Sequence, residues 1–185
     1  MAVDPLSTWK STLKALPKVA NVSWGDNFSK WYSKRITKIS PDPKKLIPVG
    51  FKLVFNVVGF KASLMALKPT TSASAGIKGF ANAWESAIKG SVYPGSLVLG
   101  PGSTGVSSGR SFSTVTSVLL TPASIAAGKK KIMELAKAEP VADADDSKFP
   151  EIFRDATLLL KINVVGTRAG PDGPLPLVAK DVPLV

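Results

Sequence analysis

Histidine and cysteine are both missing from this chain of 185 residues. Without cysteine there is no disulfide, no thiol nucleophile and no Cys/His zinc site. Without histidine, every mechanism that rests on imidazole is excluded. Acidic residues are scarce too: 13 Asp and Glu face 24 Lys and Arg, a net charge of +11. Hydrophobic residues, at 44%, are plentiful enough to build a core, so a wholly disordered chain is excluded. The length suits one domain of ordinary size with extended ends.

A long apolar run is also lacking. From Gly90 to Gly128 only Arg110 is charged in 39 positions, but 23 of them are Gly, Ser, Thr or Pro. A spanning helix needs about 20 mostly apolar residues, and this stretch fails that test. It reads either as a loop-rich face or as a surface kept dry by another subunit. Its small residues permit close approach of another backbone. The start, Met1-Ala2-Val3-Asp4-Pro5, lacks the basic residues and apolar run of a secretory signal. The absence of cysteine fits a reducing cytoplasm.

Asp4-Pro5 reads as a helix start, an N-cap acceptor followed by proline. Leu6, Trp9, Leu13 and Leu16 then recur at helical spacing until Pro17. A second helix starts at Ser23, with Trp24, Phe28, Trp31, Tyr32, Ile36 and Ile39 on one face. From Phe51 to Leu67 the apolar rows step by four and three, which predicts a helix, although β-branched residues and Gly59 argue for a strand over 51–58. Ser74 opens a helix lined by Ile77, Phe80, Trp84 and Ile88, with Gly90 placed as a C′ glycine. Ser111 to Thr121 predicts a strand, and Thr121-Pro122 a helix to about Ala138. Glu139 to Lys148 is an acidic linker, Pro150 to Ala156 a turn or two of helix, and Thr157 to Gly166 a strand. Prolines 171, 174, 176 and 183 make Thr167 to Val185 a poor central strand, which predicts an extended arm.

The motifs that could carry chemistry fail on inspection. Gly100-Pro101-Gly102-Ser103-Thr104-Gly105 lacks the Lys-Ser/Thr pair that a phosphate loop needs, since Val106 follows. Gly105-Val106-Ser107-Ser108-Gly109 spells a nucleophile elbow, yet no histidine exists to serve Ser107 as base. Asp143, Asp145 and Asp146 lack the glycine and closing glutamate of a calcium loop. The spacing of Glu85, Glu134, Glu151 and Asp155 does not favour a carboxylate pair. No catalytic residue, metal site, cofactor or small-molecule substrate is expected.

The basic excess is uneven. Residues 1–68 carry 12 basic and 3 acidic side chains, while 69–185 carry 12 and 10. Candidate basic-surface residues are Lys10, Lys14, Lys30, Lys34, Arg35, Lys38, Lys44 and Lys45. They interleave with Trp9, Trp24, Trp31 and Tyr32, a mixture able to bind single-stranded nucleic acid. The helical spacing of those aromatics points instead to core or subunit contact, with the lysines as a solvated rim or as a partner for an acidic neighbour. The short run Lys129-Lys130-Lys131 reads as an exposed helix flank.

Four stretches together resemble a family of uncharacterised virion structural proteins of tailed bacteriophages, of contractile-tailed and cyanophage type. They are Asn27-Phe28-Ser29-Lys30-Trp31-Tyr32 leading to Ile39-Ser40-Pro41-Asp42-Pro43; Gly79 to Ile88 (GFANAWESAI); Thr121 to Lys129 (TPASIAAGK); and Ser147 to Ala156 (SKFPEIFRDA). The resemblance implies a non-enzymatic subunit of the tail, baseplate, neck or capsid surface. Such a subunit would be present in many copies, assembled in the host cytoplasm and held against copies of itself and other virion proteins. No functional residue is carried over by it.

The expectation is an α+β, mainly helical protein with a small antiparallel sheet element and an extended Pro-rich C-terminal arm. Residues 1–166 would form one mixed domain, with a basic helical part over 1–68, and 167–185 the arm. Expected partner contacts are Leu175, Leu177, Val182 and Leu184 of the arm, docking by strand addition or in a neighbour's groove unless the arm folds back onto its own domain, together with Trp9, Trp24 and Trp31. The alternative is a nucleic-acid-binding protein using the basic N-terminal third.

Overall fold

The computed structural model describes residues 3–16, 21–67, 72–102, 109–137 and 148–185. In chain order the elements are α1 (Leu6–Lys14), α2 (Asn21–Ile36), β1 (Leu46–Val49), α3 (Val57–Met65), α4 (Ala73–Lys89), β2 (Ser96–Leu99), β3 (Thr114–Leu120), α5 (Pro122–Met133), a 3-10 turn (Glu134–Lys137), α6 (Lys148–Leu158), β4 (Lys161–Arg168) and β5 (Leu175–Pro183). The class is α+β, with the strands in two small antiparallel sheets, β1–β2 and β3–β4–β5. The expected acidic linker, apart from Lys148 which opens α6, and the centre of the Gly/Ser loop, Ser107 included, lie outside the described residues.

Local chemistry sets several boundaries. Pro5, not Asp4, occupies the N-cap of α1, and no side chain caps that end. Residues 51–56, at the front of the periodic stretch, are extended, as the β-branched residues argue, and the helical pattern takes hold only after them. There Val54 and Val92 exchange both main-chain hydrogen bonds, at 2.8 and 3.0 Å, so a bridge between distant parts of the chain overrides local periodicity. The helix begins only where the Asn56 side chain accepts from the Gly59 N–H at 2.9 Å. Ser72 caps α4 by accepting from Ala75, so this helix starts just before the expected Ser74. Gly90 ends it at φ −86°, in a right-handed conformation rather than the left-handed one expected of a C′ glycine.

The two sheets are stitched together by the segment before β3. Leu99 N–H donates to the Arg110 carbonyl and Phe112 N–H to that of Leu97, which lays residues 110–112 along β2. The chain then turns into β3, which pairs with β4 (Leu120 opposite Ile162). The C-terminal stretch departs from expectation. Instead of a free arm, residues 175–183 form β5 along the other side of β4, with Leu177 opposite Gly166 and Val182 opposite Ile162. Its prolines are tolerated because β5 is an edge strand, where a missing N–H costs no ladder bond. Beyond β5, Val185 and Ser40 exchange main-chain hydrogen bonds of 2.8 and 2.9 Å, which pins the chain's end.

Buried apolar residues from helices and sheets form one continuous cluster. At its centre Phe28 and Tyr32 of α2 touch the rings of Phe60, Phe80, Phe149 and Phe153 among others. One polar chain crosses this apolar mass. Trp84 Nε1 of α4 donates to Tyr32 Oη at 2.6 Å. Tyr32 Oη lies 2.7 Å from Thr157 Oγ1 of α6, and that hydroxyl donates to the Phe153 carbonyl at 2.7 Å. With the Thr157 proton committed to Phe153, the phenol must accept from Trp84 and donate to Thr157. Burial pushes the Tyr32 pKa up, only partly opposed by the Thr157 and Trp84 hydrogen bonds, so the phenol remains a neutral donor.

Helix α5 approaches this centre closely at Gly128. A β-carbon there would lie 2.4 Å from the Trp84 ring and 2.9 Å from the Ala156 carbonyl. At Gly79 on α4 the nearest obstacle is the tip of Leu67, a flexible side chain.

Tyr32→Phe should destabilise the chain by about 2 kcal/mol, because it leaves the buried Trp84 N–H without an acceptor. Urea titration followed by tryptophan fluorescence measures this, and a loss within about 0.5 kcal/mol of zero would remove the relay from the account. Gly128→Ala should cost about 1–3 kcal/mol through overpacking. Gly79→Ala should instead be neutral or gain up to about 1 kcal/mol, as an ordinary helical glycine does. Equal effects at the two glycines would refute the close packing of α5 on Trp84.

Candidate interaction surfaces

The predicted contact residues divide by burial. Trp9 and Trp31 lie in the core, edge to face with ring centroids 5.5 Å apart. The Trp31 Nε1 donates to Thr12 Oγ1 at 3.0 Å, which locks α1 to α2. Leu177, Val182 and Leu184 are buried in the chain's own core, so within this fold they are not available to a neighbour. This corrects the expectation for five residues, and the reason is the folding of β5 into the sheet and of α1 onto α2. Trp24 and Leu175, each 39% exposed, are the two that reach the surface. Trp24 stacks on Phe28 with ring planes 10° apart, leaving one side outward.

The basic residues also divide. Asp4, released from capping, accepts from Arg35 at 2.5 Å and Lys38 at 3.0 Å, which ties the start of α1 to α2. Arg35 is mostly buried in doing so and is a structural tie rather than free basic surface. Asp26 of α2 holds Lys30 at 2.7 Å and Lys61 of α3 at 2.8 Å. Glu85 of α4 holds Lys89 at 2.7 Å and Lys129 of α5 at 2.6 Å. In each case one carboxylate bridges two cations, and in each it joins two elements. Lys131 works the other way, lying 2.9 Å from Glu134 and 3.8 Å from Asp155. So Lys129 and Lys131 are tethered rather than simply turned outward as expected. Lys10, Lys14, Lys34, Lys44 and Lys45 make no ion pair with a described residue and form the free part of the basic surface.

The carboxyl groups respond to these cations. Burial raises the Asp4 pKa, but hydrogen bonds from Lys38 and Arg35 outweigh it and hold the group below its ordinary 3.8. Lys129 and then Lys89 hold Glu85 below 4.5, and Lys30 with Lys61 hold Asp26 below 3.8. Among the described residues no three carboxylates gather where a metal ion could be held. No described helix is long and apolar enough to cross a membrane.

The small residues of the Gly/Ser-rich stretch do pack against backbone, but it is the chain's own. Gly102 N–H donates to the Lys44 carbonyl at 2.5 Å and Gly100 N–H to that of Lys45 at 3.0 Å. A β-carbon on Gly100 would meet the Pro43 carbonyl at 2.6 Å.

Exposed apolar side chains gather on the sheets. On the outer face of β3–β4–β5, Leu119 is 64% exposed, and Val165 of β4 faces Val178 of β5 across the ladder. Ile47 and Val49 of β1, and the bridged pair Val54 and Val92, face solvent around the smaller sheet. Sequence reasoning missed these because β1 and β2 are four residues each, too short for alternation to show. Two open hollows lie at the sheet margins. One, of about 470 Å³, is lined by Val3, Pro41, Pro43, Pro48, Leu158 and Val185. The other, of about 450 Å³, runs between β3 and the segment that follows α4. Both are mainly apolar, with no convergent set of ionisable groups of the kind general acid–base chemistry requires.

No protein-family model matches the chain, and no curated protein or solved structure matches it either.

Asp4→Asn should cost about 1 kcal/mol at neutral pH. A depressed carboxyl pKa stabilises the fold above the unfolded value, and the gain is lost as pH falls through the folded value. The difference between wild type and variant should therefore narrow as pH falls from about 6 to below the ordinary carboxyl value. Urea midpoints across that range test it, and a gap that persists undiminished in acid would show that the Asp4 carboxylate is not the stabilising group.

Proposed function

We propose that the chain is a non-enzymatic structural subunit that works by being held against neighbouring subunits. In the resemblance noted above, those neighbours are copies of itself and other proteins of a tailed-phage particle, in the tail, baseplate, neck or capsid surface. The observation that carries this reading is the outer face of the three-stranded sheet, where Leu119, Val165 and Val178 stay exposed although the chain buries its large aromatics efficiently. Apolar side chains gathered on one face, with few charges among them, mark contact surfaces. The contact residues under this reading are these three together with Trp24 and Leu175.

A second reading, nucleic-acid binding, is supported by Lys10, Lys14, Lys34, Lys44 and Lys45. It is weakened by the burial of Trp9, Trp31 and Tyr32, which leaves Trp24 as the outward indole of the basic third. Binding of this kind would rest on phosphate neutralisation and would fall steeply with salt.

Val165→Lys/Val178→Lys should fold with an unchanged melting midpoint, since both side chains face outward, yet be depleted about tenfold from purified particles. Quantitative mass spectrometry of intact virions provides the measurement. Virions that lack the wild-type chain altogether would sink the structural role. Salt-sensitive DNA binding at micromolar concentrations or tighter would favour the second reading.

A further inference from the structure

The two outer edges of the three-stranded sheet differ in kind. The β5 edge carries Pro176, Lys180 and a kink at Asp181, whose φ is +51°. There the Asp181 N–H is taken by Asn163 Oδ1 at 2.8 Å. Beyond it, Leu184 is bridged to Pro41. Proline, lysine, a kink and a covering segment all discourage an incoming strand. The β3 edge has neither proline nor lysine, and its departure from regular pairing is a register irregularity between Val115 and Ser117. Thr114–Leu120 reads TVTSVLL, and no residue from Ser111 to Gly128 is charged, a run of 18 positions.

The main chain of that edge is open. Thr121 N–H donates to the Lys161 carbonyl at 2.9 Å, and Leu119 and Ser117 stand opposite Asn163 and Val165. Because antiparallel bonding alternates by two residues, Thr121, Leu119 and Ser117 face β4. The N–H and carbonyl groups of Val118 and Leu120 therefore point away from it, and no bond to them from another element is present among the described residues. Beside this edge runs the hollow of about 450 Å³, whose far side includes Ile88, Lys89 and Tyr93. Lys89 is paired there with Glu85, which it shares with Lys129, and the Tyr93 hydroxyl is buried without a hydrogen-bond partner among the described residues.

We propose that the β3 edge is a self-association site, at which β3 of a second copy adds antiparallel about a two-fold axis. The proposal rests on the structural-subunit reading and names its partner. Main-chain donors and acceptors repeating every second residue complement another strand, so the occupant is an extended polypeptide segment. Charge selects a copy of this chain. At +11 per chain, two copies meeting through their basic helices bring lysines together, whereas at β3 each uncharged strand meets its uncharged equivalent. The same approach covers the adjoining Leu119 and Val165. One seven-residue edge is small beside the roughly 1,600 Å² of a standard interface, so the affinity expected is micromolar.

Light scattering and sedimentation of the purified chain should show a dimer that dissociates on dilution below the micromolar range. Val118→Pro removes an outward N–H at an edge position and should weaken association at least about tenfold without lowering the melting midpoint of the monomer. Because that variant can misfold, a second test uses the chain's lack of cysteine. Leu119→Cys should be joined to itself by a short bis-maleimide, whereas Leu175→Cys, on β5, should stay single. A wild-type chain that remains monomeric near about 1 mM, or equal cross-linking at both positions, overturns the proposal. A monomer that is nevertheless found in virions overturns self-pairing and leaves the structural role standing. A β3-linked dimer that is absent from virions does the reverse.

Discussion

One phenol oxygen fixes how three helices meet. Tyr32 Oη takes the Trp84 N–H and lies 2.7 Å from the Thr157 hydroxyl, so α2, α4 and α6 share a polar chain inside an otherwise apolar core. A buried polar chain is costly when incomplete and specific when complete. Apolar rings slide against one another at little cost, but these donors and acceptors meet in one arrangement only. Gly128 belongs to the same constraint, because its missing β-carbon lets α5 close over the Trp84 ring. The sheet depends on it in turn. Leu160, directly after α6, accepts from Leu184 N–H at 3.1 Å, so the placement of α6 sets where β4 begins and where the chain's end is anchored.

Much of the helical part was legible because heavy aromatics recur at helical spacing. Trp24, Phe28, Trp31, Tyr32 and Ile36 predict α2, and Phe80, Trp84 and Ile88 predict α4. What such a row faces was not legible. Trp9 and Trp31 have the same pattern whether they pack on their own chain or on a subunit, since both environments are dry. The stretch from Phe51 was legible only in part: its β-branched residues argue for the extended front end that forms, its apolar residues step like a helix, and the capture of Val54 by Val92, far along the chain, leaves no trace in local pattern. The C-terminal stretch was misread through its prolines. Pro176 and Pro183 argue against a central strand, and β5 is not central. Leu177, Val182 and Leu184 alternate with less buried residues closely enough to have suggested a half-buried strand, apart from the one-residue irregularity near Asp181.

Scarcity of acid shapes the rest of the surface. Asp4, Asp26 and Glu85 each hold two cations, so a few carboxylates do the work of many in joining α1 to α2, α2 to α3 and α4 to α5. Every such cluster still keeps one positive charge. The ties therefore hold the helices together without discharging the molecule, and the remaining lysines stand free around them. A shell of this kind keeps copies apart in solution. It also confines close contact between copies to whatever region lacks charge.

The uncharged stretch from Gly90 to Gly128 serves two ends. At Gly100 and Gly102, small residues let the backbone sit against the carbonyls of Lys44 and Lys45, and the close approach that such residues permit is used up inside the molecule. At β3 the same lack of charge is not used internally: one side pairs with β4, and the other keeps its main-chain groups unbonded by the described residues. The contrast with β5 gives this weight. If both edges faced only solvent, both would need the same protection against stray strands, and the chain supplies proline, lysine and a kink to one while giving the other a register irregularity alone. An edge guarded by neither charge nor proline invites another strand, so under the proposed subunit role the β3 edge, rather than the tryptophans or the C-terminal strand, is the place to look for a neighbour.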